Sequence, residues 1–154
     1  MIRTQFTTAL VFMGSLWLAT ASTAARAAID AQAPPRAGTT VWDGVFSAEQ
    51  AARGRIQYEQ SCAACHGKDL AGDGTAPSLI EESFAFLFDD MTLGHLFDKI
   101  RSIMPPARPG SLSAESYCDV VAYLLQANKM PAGEKELPPD NDVLDKIRIT
   151  KLKN

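Results

Sequence analysis

A chain of 154 residues has room for one globular domain and its tails, and little more. Its hydrophobic share of 46% and charged share of 21% are ordinary for such a domain. With a formal charge of −3, nothing suggests a nucleic-acid partner, which would need a basic surface and reading elements.

The first residues read as an address rather than as part of the fold. Arg3 gives a positive start, Ala9 to Ala21 is apolar apart from Ser15 and Thr20, and Ala25-Arg26-Ala27 offers a small-residue cleavage site. The apolar run is shorter than the ~20 residues a spanning helix needs. The expectation is therefore a leader over residues 1–27, cleaved after Ala27, with export to the periplasm and no integral membrane anchor. Without Arg3 and Arg26 the 15 basic residues fall to 13 against 18 acidic ones, a formal charge of −5. Residues 28–41 carry Pro34, Pro35 and Gly38 among small residues and read as a flexible lead-in. Order is expected from Trp42 to Phe46 onward.

Ser47-Ala48-Glu49-Gln50 has the form of a capping box, with Ser47 accepting from free amides and Gln50 reaching back, so a helix is predicted to about Ser61. Gly54 inside it costs about 1 kcal/mol relative to alanine. A second helix crossing closely there would explain it, and simple tolerance is the alternative.

That helix delivers the chain into Cys62-Ala63-Ala64-Cys65-His66, the attachment signature of a c-type haem. Two thiols separated by two residues add across the porphyrin vinyl groups, and the histidine that follows becomes the proximal iron ligand. A bare C-x-x-C also serves thioredoxin-like redox pairs and half of a zinc site. The first wants a βαβ context and the second another ligand pair, whereas only Cys118 and His95 remain, far apart. Haem attachment outside the inner membrane agrees with the leader.

From Gly67 to Ser83 glycine, proline and polar residues predict a loop. Thr92 can cap a second helix whose apolar positions Leu93, Leu96, Phe97, Ile100 and Ile103 recur at helical spacing, until Pro105-Pro106 stops it. A third helix is capped by Ser113, with Leu112 and Tyr117 as a hydrophobic staple. Its buried stripe is Tyr117, Val120, Val121, Leu124 and Leu125, fading between Asn128 and Pro131. Cys118, unpaired, is expected to pack there as a small hydrophobe, with a reactive thiol or intermolecular bridge as the alternative. Residues 138–154 are charged, follow Pro138-Pro139, and are expected as an extended arm over a domain spanning 42–137. No strand pattern of any length emerges.

One histidine leaves the second face of the iron open, and what fills it separates an electron carrier from a gas- or peroxide-binding protein. Met104, Met91 and His95 are the candidates. Met104 lies between a helix end and a proline-rich loop of little conformational freedom, which can hold a thioether at low entropic cost, and a core methionine that never touches metal is the alternative. His95 reads as an exposed or hydrogen-bonded histidine, and Met91 and Met130 as core filling.

Gly54 and Tyr58, Cys62 through Gly67, Pro77-Ser78-Leu79, Ile103-Met104-Pro105 and Tyr117 through Leu125 together make the chain resemble class I c-type cytochromes over roughly Ser47 to Leu137. The resemblance implies an all-α fold, a small cytochrome c fold of three main helices around one haem c bound covalently through Cys62 and Cys65. It implies that Met104 joins His66 as iron ligand, and that the Pro77 carbonyl accepts the other ring N–H of His66. It also implies that Gly54 meets Tyr123 where the first and last helices cross. Ser116 to Asn128, followed by Pro131-Ala132-Gly133, is similar to single-haem cytochromes associated with bacterial quinoprotein dehydrogenases. Cys118 departs from the family pattern, and nothing carries over for the tail.

The expected function is periplasmic electron transfer, not enzymatic catalysis, with a quinoprotein dehydrogenase as donor and an oxidase or respiratory complex as acceptor. Alternatives are a haem sensor or peroxidatic enzyme with an accessible sixth position, or a fixed cytochrome subunit of a dehydrogenase complex. For docking, the acidic Glu81, Glu82, Asp89 and Asp90 and the basic Lys68, Lys99, Arg101 and Arg108 are candidates, with a merely solvated face as the alternative for either group. Lys146, Arg148, Lys151 and Lys153 of the tail could meet an acidic partner or lipid headgroups, or serve solubility alone.

Overall fold

A computed structural model describes residues 38–151; the expected leader, residues 28–37 of the lead-in and Lys153 lie outside them. In chain order the elements are β1 (Thr39–Thr40), α1 (Ala48–Ser61), α2 (Ala63–His66), α3 (Glu81–Phe88), α4 (Leu93–Ile103), α5 (Ala114–Ala127), α6 (Asn141–Leu144) and β2 (Ile147–Arg148). The fold is all-α apart from the two-residue strands. Among the described residues no helix is long and apolar enough to cross a membrane.

The three expected helices are present, each opened by the hydroxyl that the sequence offers. Ser47 accepts from the Gln50 amide at 3.0 Å, Thr92 from His95 at 3.1 Å and Ser113 from Ser116 at 3.1 Å. Only half of the expected capping box forms. The Gln50 side chain turns away from its own cap and bonds the tail backbone, Nε2 donating to the Leu137 carbonyl at 2.9 Å and Oε1 accepting from the Leu137 amide at 2.8 Å. A buried side-chain amide gains more from two backbone partners than from one.

Helix α1 packs along α5, and Gly54 is the contact point. A Cβ there would lie 1.8 Å from the Asp119 carbonyl oxygen and 3.0 Å from the Tyr123 Cβ, so the backbones approach to a distance that only glycine permits. One turn on, the rings of Tyr58 and Tyr123 lie 5.3 Å apart. The α5 stripe of Tyr117, Val120, Val121, Leu124 and Leu125 is buried as patterned, and Cys118 with it. Burial pushes the Cys118 thiol up to about 12, in keeping with a small inert hydrophobe.

Two elements depart from the expected plan. Helix α3 occupies part of the expected loop. Ile80, at its start, offers no capping side chain, and the Glu81 amide is instead accepted by Oδ1 of Asn128 at 2.8 Å. The signal for this helix therefore sits 47 residues downstream. Phe84 and Phe88 are buried from α3, ring centroids 5.1 Å apart, while Phe86 stands 88% exposed.

The tail is the larger correction. Instead of an arm over the surface, it is part of the core: Leu144, Ile147 and Ile149 are each no more than 2% exposed. Asp140 caps α6, and β2 pairs in parallel with β1, Thr39 opposite Ile147 and Thr40 opposite Arg148. Trp42 closes the seam, its Nε1 donating to the Thr150 carbonyl at 2.7 Å. Order thus begins before Trp42 and reaches beyond Leu137. Pro138-Pro139 marks a turn inward, and three apolar residues scattered among charges were enough to bury the segment.

Candidate functional site

Helix α1 ends where the C-x-x-C-H segment begins. Cys62 leaves helical geometry (φ −126°, ψ −35°), and α2 is the single turn that follows, with His66 N–H donating to the Cys62 carbonyl at 3.0 Å. The turn places Cys62, half-buried, Cys65, exposed, and His66, buried, along one wall. Tyr58, in the last turns of α1, donates its hydroxyl to the Gly67 carbonyl at 2.8 Å and ties the start of the next loop to the helix.

That loop closes back on the histidine. Gly72 N–H donates to the His66 carbonyl at 2.9 Å, and Leu79 N–H to the Leu70 carbonyl at 2.8 Å. At Gly72 a Cβ would sit 2.4 Å from the Ala76 carbonyl oxygen, with φ at +73°, so glycine lets the loop fold flat. Asp73 accepts from the amides of Thr75 and Ala76, which hold its carboxyl below the usual range. The loop brings the Pro77 carbonyl to 3.0 Å from Nδ1 of His66. With Nδ1–H donating there, the ring orientation and tautomer are set, and Nε2 is the nitrogen left with a lone pair.

Met104 comes from the C-terminal end of α4. Its N–H caps α4 by donating to the Ile100 carbonyl at 2.9 Å, and its own carbonyl accepts from the Tyr117 hydroxyl at 2.8 Å. Two prolines follow and end the helix.

Between these segments lies a cavity of about 350 Å³, within the ~300–1,000 Å³ range of ligand sites. Cys62, Cys65, His66, Pro77 and Met104 all line it, and most of the remaining wall is apolar, including Leu87, Phe88, Leu96 and Ile100. Among the described residues no carboxylate lines it. Met91 is half-buried against the core and His95 is exposed on α4; neither lines this cavity. His95 instead borders a shallow groove with Asp98 and Arg101.

The donor set suits a broad apolar ring carrying a metal. Two thiols lie at one edge, an imidazole nitrogen and a thioether are on the walls, and aliphatic and aromatic side chains supply the rest. A bare ion fits poorly: among the described residues no group of three or more His, Cys, Asp or Glu side chains could hold one. Thiol redox chemistry also fits poorly. Burial, and then the neighbouring Cys65, push the Cys62 thiol up to about 11, opposite to the lowered values of catalytic C-x-x-C pairs.

The candidate docking charges divide. Asp90 pairs with Arg148, and Asp89 meets Lys151 at 3.5 Å, so part of the acidic group and part of the basic tail satisfy each other. Lys99 lines the cavity, its Nζ 5.6 Å from the centroid of the Phe88 ring.

Residues 49–124 match the family model described as cytochrome c oxidase, cbb3-type, subunit III. No curated protein and no solved structure matches the chain. The matched segment runs from the first turn of α1 to Leu124 of α5 and contains all five cavity residues predicted from the sequence, while β1, β2 and α6 fall outside it. Over residues 49–124 the chain is thus similar to c-type cytochrome domains, which carry haem c and transfer electrons.

Proposed function

We infer that this chain is an exported, single-haem electron carrier of the periplasm. Cys62 and Cys65 would hold the haem through thioether links, and His66 and Met104 would ligate its iron. The observation that carries this reading is the convergence of those four side chains on one apolar cavity, with Nδ1 of His66 already engaged by Pro77. When bound, the haem supplies a one-electron iron couple. Pro77 orients the His66 ring and strengthens its donation. The Met104 thioether, a soft donor, favours the reduced state and raises the potential. Leu87, Phe88, Leu96 and Ile100 exclude water and disfavour the more highly charged oxidised state.

The donor in this reading is a quinoprotein dehydrogenase and the acceptor an oxidase or respiratory complex, met through a small transient interface. The Lys99 side chain at the cavity is placed to steer an acidic partner. The description of the matched family as an oxidase subunit favours a second reading, in which the domain resides permanently in a respiratory complex. Co-purification at modest salt separates the two, since a carrier elutes alone.

The test of the site is spectroscopic. Wild-type protein is expected to keep its pigment in acidified organic solvent, and the Cys62→Ala/Cys65→Ala double variant to release it. The weak long-wavelength sulfur-to-iron band of the oxidised form should vanish in Met104→Ala, which should also gain carbon monoxide binding. A Met104→Ala spectrum identical to wild type would remove Met104 from the metal.

A further inference from the structure

We propose that Tyr117 is the positioning residue of Met104, holding its thioether at the iron through the main chain; this rests on the reading of Met104 as axial ligand.

The last carbonyls of a helix have no partner within it and must find donors elsewhere. Met104 follows α4 in extended geometry (φ −124°, ψ 147°), so its carbonyl lies outside the helix ladder, and the Arg108 N–H four residues on donates to the Pro105 carbonyl instead. The Tyr117 hydroxyl fills the gap, donating to the Met104 carbonyl at 2.8 Å from a side chain only 1% exposed. A buried ring has little room to move, so the oxygen it bonds is fixed relative to α5. Met104 is then held at both ends of its residue, N–H by Ile100 and carbonyl by Tyr117. Methionine needs this more than histidine would, since its unbranched side chain sets no orientation of its own.

The same contact links the two halves of the site. Tyr117 opens α5; two residues later Asp119 meets Gly54 of α1, and α1 runs directly into Cys62. The two candidate axial ligands, 38 residues apart, are thereby referred to one rigid helix pair. Position 117 also had a sufficient reason to be apolar, as part of the buried stripe, so the hydroxyl is an addition that the core does not require.

Tyr117→Phe in the haem-loaded protein tests the role, because it keeps the ring and removes only the donor. Imidazole from solution competes with the thioether for the iron, and its apparent affinity measures how firmly Met104 is held. Loss of one hydrogen bond should raise that affinity roughly 2- to 12-fold. The sulfur-to-iron band should weaken at the same time. Cys118→Ala, a core change on the same helix turn, should lower thermal stability and leave the imidazole affinity where it was. With the band present in wild type and lost in Met104→Ala, an unchanged affinity in Tyr117→Phe overturns the proposal. An equal rise in Cys118→Ala overturns it too, as general loosening. Absence of the band in wild type overturns the ligand reading itself, and Tyr117's role with it.

Discussion

Gly54 shows how much one missing methyl group can carry. Alanine would add about 1 kcal/mol of helix propensity, yet its Cβ would meet the Asp119 carbonyl at 1.8 Å, and that oxygen belongs to backbone with no rotamer to change. Forcing a group into a packed contact costs typically 1–3 kcal/mol. Gly54→Ala is therefore expected to destabilise the domain by about 2 kcal/mol, read as a lower urea midpoint at unchanged slope. At this scale the C-x-x-C-H motif was legible directly, because Cys62, Cys65 and His66 fall within five consecutive positions. Pro77 was legible only through resemblance, and the Gln50 and Tyr117 side-chain bonds were not legible at all. Their partners lie 87 and 13 residues away, at distances that no local pattern encodes.

Among the elements, α1, α5 and the start of the tail are joined by one side chain. Arg53 reaches Asp119 at 3.0 Å and Glu136 at 2.9 Å. The guanidinium holds the Glu136 carboxyl below its ordinary value. A lowered carboxylate contributes stability above its unfolded-state pKa, and the contribution is lost as pH falls through the native value. Glu136 and Arg53 are both about half exposed, so screening keeps the contribution under about 1 kcal/mol. Glu136→Gln should thus cost that little at neutral pH, and chemical denaturation across the acidic range should show the variant and wild type converging. Helices with their own caps and stripes, α1, α4 and α5, could be placed from sequence to within a residue or so. Helix α3 could not, since the Asn128 side chain that takes its first amide belongs to the end of α5.

For the molecule as a whole, the main lesson concerns where the domain stops. The matched family segment closes at Leu124, yet Leu137, Leu144, Ile147 and Ile149 beyond it are buried. Full burial of an aliphatic side chain is worth about 1.5–3 kcal/mol, so deleting residues 138–154 removes Leu144, Ile147 and Ile149 at a cost of about 5 kcal/mol or more. Domains of this size have ~5–15 kcal/mol in total. The truncated chain is expected to melt far below wild type or to fail to fold, by circular dichroism. Its overall plan, helices around a cavity, followed from motif and periodicity. The buried tail did not, because its apolar residues are too few and too unevenly spaced to form a stripe.

The indole bond from Trp42 to Thr150 has a practical corollary. Trp17 lies in the expected leader, so a processed chain would hold a single fluorophore of this kind, stationed where the first and last described residues are stitched together. Its emission is a built-in gauge of whether the two ends stay zipped, readable separately from the colour of the prosthetic group.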